Sequence, residues 1–111
     1  MDRDLSDDVI FGALSMECFQ AINSAIDLGE YLVSEYNLGI PSTYREIFEI
    51  LHKNKIISDE ILSGMKKLIF YRNLIAREYY TIEAKDLKEI VSMLNILLDL
   101  VESVKRYQSL K

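Results

Sequence analysis

Residues that interrupt regular structure are scarce in this chain. There is one proline, Pro41, and there are four glycines among 111 residues. So few turn formers permit only a few long elements joined by short connections. The abundance of Leu, Ile, Glu, Lys, Ala and Met makes those elements helices. Apolar residues at helical spacing mark four of them. The first is predicted from about Leu5 to Tyr36, with Ile10, Leu14, Ile22, Ala25, Ile26, Leu32, Val33 and Tyr36 inward. Gly29 lies within it and would let a neighbouring helix approach closely. Asn37, Gly39 and Pro41 stop it. The second starts at Thr43, whose spacing to Glu46 matches a capping box, and buries Ile47, Phe48, Ile50 and Leu51 before ending near Asn54. Ser58 caps the third, with Asp59 and Glu60 in its first turn and Ile61, Met65, Leu68, Ile69 and Ile75 inward. The fourth runs from about Glu83 to Tyr107 on a stripe of Leu87, Ile90, Val91, Leu94, Leu97, Leu98, Val101 and Val104. The expectation is an all-α antiparallel four-helix bundle forming one domain over residues 1–111.

Charge and cysteine content narrow the function classes. The formal net charge is −5, which argues against broad, sequence-independent nucleic-acid binding. The charge is uneven. Asp2, Asp4, Asp7 and Asp8 crowd the start against Arg3, whereas Lys66, Lys67, Arg72 and Arg77 face only Glu78 between Gly64 and Tyr80. A local basic site on an acidic body suits a small piece of RNA or a nucleotide; a solvated helix face accounts for the lysines equally well. Cys18 is the single cysteine, so no internal disulfide forms, as suits a reducing compartment. The acidic start lacks the pattern of a secretory signal. Ile90–Val101 is interrupted by Ser92, Asn95 and Asp99 and is too short to cross a bilayer. A cytoplasmic protein with no membrane association is expected.

The segment YRNLIAREYY, residues 71–80, concentrates polar groups. Arg72, Asn73, Arg77, Glu78 and Tyr79 fall within eight positions, flanked by Tyr71 and Tyr80. In a continuous helix Arg72 and Tyr79 share a face, because seven steps fall about 20° short of two turns. Arg77 points away from that face unless the helix ends near Ala76 and the chain folds back. Spacing alone also fits a structural role, with Arg77 on the helix dipole and the tyrosines at the edge of the core.

This segment resembles the signature of the HepT-like branch of the HEPN superfamily, in which Arg and Asn are followed by His and then Tyr. Arg72, Asn73 and Tyr79 match, and Arg77 stands in the His position. GIPSTYREIFEIL and KIISDEI flank it as in that family, and the resemblance covers about residues 4–109. It implies a metal-independent ribonuclease, the toxin component of a prokaryotic toxin–antitoxin system paired with a minimal nucleotidyltransferase antitoxin. Metal-independent cleavage implies no cofactor or metal. A homodimer with the site near the subunit interface is the default expectation, since most soluble oligomers are symmetric pairs. By the same resemblance Arg72 binds phosphate, Asn73 supports it, Arg77 occupies the catalytic position, and Tyr79 receives AMP groups from the nucleotidyltransferase.

An arginine cannot replace the histidine in proton transfer, since it stays protonated and has no acceptor. The expectation is retained RNA or nucleotide binding with cleavage weakened or lost. The alternative is a noncatalytic nucleotide-binding or assembly partner of a nucleotidyltransferase, and a third reading is a helical interaction domain without an active site. His52 is the single histidine. Its E-x-x-H spacing from Glu49 lacks the second such unit that a di-metal bundle needs. Glu78 reads as a solvated turn residue and Cys18 as a small core residue.

Overall fold

A computed structural model describes residues 8–111. The order is α1 (Asp8–Glu35), α2 (Tyr44–Lys53), α3 (Asp59–Arg77), a 3-10 turn (Tyr79–Thr81), α4 (Ala84–Ser92) and α5 (Leu94–Ser109). The all-α bundle is as expected, with its fourth arm in two pieces. The predicted start of the first helix at Leu5 lies outside the described residues.

α1 is the element on which the others pack. Ser15, Cys18, Ile22, Ala25, Ile26, Gly29, Leu32 and Val33 are its buried positions, recurring every three or four residues. It is long and apolar enough to cross a bilayer. Its buried positions pack within the bundle, on α2 and α3 above all, while Val9, Ile10, Met16 and Tyr31 stay exposed. Ser15 enters this core without an unsatisfied group, because its Oγ donates to the Phe11 carbonyl at 2.8 Å. A Cβ on Gly29 would lie 2.8 Å from Ile47 Cγ2 and 3.1 Å from Phe48 Cε1, so glycine admits α2 as close as it comes.

Local signals set the helix ends. Asn37 takes a left-handed conformation (φ 51°) beyond α1. The Leu38 N–H then reaches the Val33 carbonyl at 2.9 Å and the Asn37 N–H reaches Ser34 at 3.3 Å, a Schellman closure. Lys55 (φ 62°) does the same after α2, with Ile56 N–H on Leu51 and Lys55 N–H on His52, both at 2.9 Å. Thr43 caps α2 by accepting from the Glu46 N–H at 3.2 Å. The return bond of Glu46 goes one residue further back than expected, to the Ser42 N–H at 2.6 Å. Ser58 caps α3 by accepting from the Ile61 N–H at 3.2 Å.

The expected single helix from Glu83 to Tyr107 is broken at Met93 (φ −102°, ψ 6°). There the Met93 N–H bonds to Ile90 and the Ile96 N–H to Met93, each one residue short of α-helical spacing. The break has a packing cause. α4 buries Leu87 and Ile90, whereas α5 buries Ile96, Leu100, Ser103 and Val104. In a straight helix these two sets would face roughly 120° apart. The interruption turns both inward and seats Ile96 on Gly64 of α3, whose Cβ position lies 2.9 Å from Ile96 Cδ1. As a result Val91, Leu98 and Val101, expected inside, are exposed. Ile10 on α1, also expected inside, is exposed as well.

Candidate anion-binding site

α3 ends at Arg77. Glu78 closes it with its N–H on the Leu74 carbonyl at 2.8 Å, and the chain turns at once into the 3-10 segment. Arg72 and Tyr79 therefore do not share the face of one continuous helix.

Arg72 is half-buried, and residues from α1, α2 and α3 hold its guanidinium. Its Nε donates to Asn23 Oδ1 of α1 at 2.8 Å, and its Nη1 donates to Asn73 Oδ1 at 2.9 Å. The Phe19 ring of α1 and the Tyr44 ring of α2 lie against it, with centroids 5.1 and 4.9 Å from Cζ, a cation–π geometry. A guanidinium carries five N–H donors. With one on Nε and one on Nη1 engaged, the second Nη1 hydrogen and both on Nη2 are left to face a ligand.

Arg72, Asn73 and Arg77 line one open groove of about 750 Å³ between α2, α3 and the loop before α2. Tyr44, Arg45, Glu30, Glu46 and Glu49 complete its polar wall. The groove thus offers one oriented guanidinium, two further arginines, an aromatic face and carboxylates. Such a set has the chemistry that a phosphate ligand requires. No histidine lines it. His52 lines a separate groove at the α2–α3 junction, where its Nε2 meets Asp59. Glu49 forms an ion pair with Lys66 at 3.0 Å. Among the described residues no group of three His, Cys, Asp or Glu is gathered as for a metal.

Tyr79 lies elsewhere. Its ring packs edge-on against Phe11 of α1, with centroids 6.1 Å apart, and its hydroxyl sits 3.5 Å from where a Cβ on Gly12 would be. It is 44% exposed, and neighbouring Tyr80 is 85% exposed. Phe11, Ser15, Phe19 and Asn23 form an i, i+4 row along α1, on which both Tyr79 and Arg72 dock. Phe11 and Phe19 are about 12 Å apart along the helix axis.

Behind the groove, Tyr71 of α3 donates to Glu89 of α4 at 2.5 Å, and Lys67 pairs with the same carboxylate. The hydrogen bond to Glu89, aided by burial and by the Glu89 and Asp86 charges, pushes the Tyr71 pKa up to about 12. Lys67, and then Tyr71, lower that of Glu89. Burial, with help from Glu17, raises that of the Cys18 thiol. Cys18 therefore remains a protonated core residue.

Asn23, Phe19 and Tyr44 were not among the expected site residues. A trace of signal exists in Asn23, a polar residue between buried Ile22 and Ala25. Nothing local pairs it with an arginine 49 positions away.

The sequence profile of the Ribonuclease HepT-like family matches residues 2–105. An mRNA nuclease HepT of Shewanella oneidensis is 30% identical over 78 residues, covering 70% of this chain and 55% of that protein. The chain spans about half the length of the curated relatives it matches. Two crystal structures share its fold at 18% identity: a mutant of the toxin–antitoxin MntA-HpeT (TM-score 0.83, 90% of this chain and 77% of that one) and a toxin–antitoxin with AMP-PNP (TM-score 0.84, 90% and 76%). With nearly its whole length matched by that profile, the chain belongs to the Ribonuclease HepT-like family.

Proposed function

We propose that this chain is the HepT-like toxin of a toxin–antitoxin pair, an RNA-binding protein of ribonuclease descent whose cleavage is weakened or lost at Arg77. The observation that carries this is the Arg72 guanidinium. It is fixed by Asn23 and Asn73, with unused donors, in a groove that Arg77 also lines and no histidine enters. Phosphate binding needs oriented cationic donors, and these are present. Cleavage through a ribose 2′-OH needs a group that both takes and gives a proton near neutral pH, and Arg77 does neither.

The partner is a minimal nucleotidyltransferase antitoxin, in keeping with the toxin–antitoxin structures that share the fold. Tyr79 is the acceptor of its AMP groups, half-exposed at the start of the 3-10 turn. The protein acts as a cytoplasmic homodimer. The lack of a groove histidine also favours a second reading, a noncatalytic nucleotide-binding subunit for that partner.

Binding and cleavage of a labelled single-stranded RNA, by the natural chain and by Arg72→Ala, test the proposal. Salt-sensitive binding that falls in Arg72→Ala, with the salt slope reduced by about one, supports it. Equal RNA binding by both proteins refutes the phosphate site. Slow or absent cleavage with intact binding is the expected behaviour of the natural chain.

A further inference from the structure

The groups that hold Arg72 are all neutral. Phe19 and Asn23 come from α1, Tyr44 from α2 and Asn73 from α3 itself. Of the nearby carboxylates, Glu49 pairs with Lys66 and Glu89 with Lys67 of α3, while Glu30 and Glu46 line the groove without an ion pair to Arg72. Among the described residues none forms an ion pair with Arg72. The difference matters for an anion site. A carboxylate on Nε would orient the guanidinium equally well, but it would cancel the charge that a phosphate must meet. An amide oxygen orients without neutralising. Asn23 occupies that position from a half-buried site on α1, with the buried Ile22, Ala25 and Ile26 around it.

We infer that Asn23 is a positioning residue for Arg72, which turns the Nη edge of the guanidinium toward the groove and leaves its charge free for an RNA phosphate. The inference rests on the reading of Arg72 as the phosphate-binding residue. Engagement of Nε by Asn23 rules out the two-point grip that uses Nε with Nη2. The ligand is therefore met by the hydrogens remaining on Nη1 and Nη2. The Phe19 and Tyr44 rings limit the swing of the side chain and bear against it without adding charge.

The test uses a labelled single-stranded RNA oligonucleotide titrated over a range of salt. Asn23→Leu keeps the volume and removes the acceptor. It is expected to bind about tenfold more weakly, the scale of one hydrogen bond to a charged group, with the salt slope unchanged because no charge is lost. Combined with Arg72→Ala, it is expected to add nothing. The Arg72 Nε–H signal in nitrogen-resolved NMR is expected to lose its protection from exchange. Asn23→Asp keeps an acceptor and serves even if the leucine variant does not fold. It should hold the arginine yet lower the salt slope by about one, through charge cancellation.

Binding by Asn23→Leu within twofold of the natural chain overturns the inference. So does additivity with Arg72→Ala, or a natural salt slope and affinity in Asn23→Asp. In those cases the phosphate site stands so long as Arg72→Ala has lost binding. If Arg72→Ala binds as the natural chain does, the site reading and this inference fail together.

Discussion

Arg72 of α3 and Asn23 of α1 meet at 2.8 Å across 49 positions of sequence. The bond joins the helix that carries the motif to the helix on which the bundle packs. It sets the direction of a cationic side chain whose long, flexible stem would otherwise sample many rotamers. A bidentate grip on phosphate depends on that direction as much as on charge.

Arg77→His is expected to raise RNA cleavage over the natural chain by about 10²- to 10⁴-fold, the usual worth of general acid–base catalysis. The position lines the groove at the end of α3. The gained activity should rise and fall with pH around the ordinary histidine range. Timed cleavage of a labelled RNA across pH 5–9 measures both effects. Equal rates in the two proteins would show that position 77 does not limit catalysis.

Co-expression with a neighbouring nucleotidyltransferase should add AMP to Tyr79. Its hydroxyl lies beside Gly12, and its ring packs edge-on against Phe11. Tyr80, more exposed, lacks a described ring contact and should stay largely unmodified. Peptide mass spectrometry of the natural chain and of Tyr79→Phe distinguishes the two tyrosines. An adduct on Tyr80 with none on Tyr79 contradicts the assignment.

Gly64→Ala should destabilise the bundle by about 1–3 kcal/mol, the range for overpacking. The new methyl would meet three atoms of Ile96 at 2.9–3.0 Å. Helix propensity pulls the other way by about 1 kcal/mol, so packing decides the sign. Urea unfolding measures the change, and adding Ile96→Ala should shrink the penalty of the glycine substitution. Greater stability in Gly64→Ala would mean that α5 is free to shift outward.

The Tyr71–Glu89 pair should give stability a two-sided pH dependence. Tyr71 is raised to about 12 in the folded protein, so its contribution is complete below the ordinary phenol value near 10. That contribution is lost as pH climbs from there through 12. Glu89 is lowered, so its contribution is complete above the ordinary carboxylate range and is lost as pH falls through the folded value. Tyr71→Phe is expected to cost about 1 kcal/mol at neutral pH and to flatten the alkaline limb. Denaturant midpoints from about pH 2 to 12 provide the comparison, and an unchanged alkaline limb would dissociate Tyr71 from that transition.

Helix existence, the Thr43 and Ser58 caps, the stop at Asn37 and the closeness of Arg72 to Asn73 are all legible along the chain. Each depends on groups within about five residues, where backbone geometry and propensity suffice. The motif's Tyr79 is legible as a residue but not in its location, because helical phase carries no information past the turn at Glu78. The break at Met93 is equally hidden. Val91, Leu98 and Val101 look as inward as Leu87 in an apolar stripe, and only the seating of Ile96 on Gly64 reveals which face is buried. The cage around Arg72 lies furthest from the sequence. Asn23, Phe19 and Tyr44 reach it only once α1, α2 and α3 have packed, since long-range contacts follow from how helix surfaces interlock rather than from any local pattern.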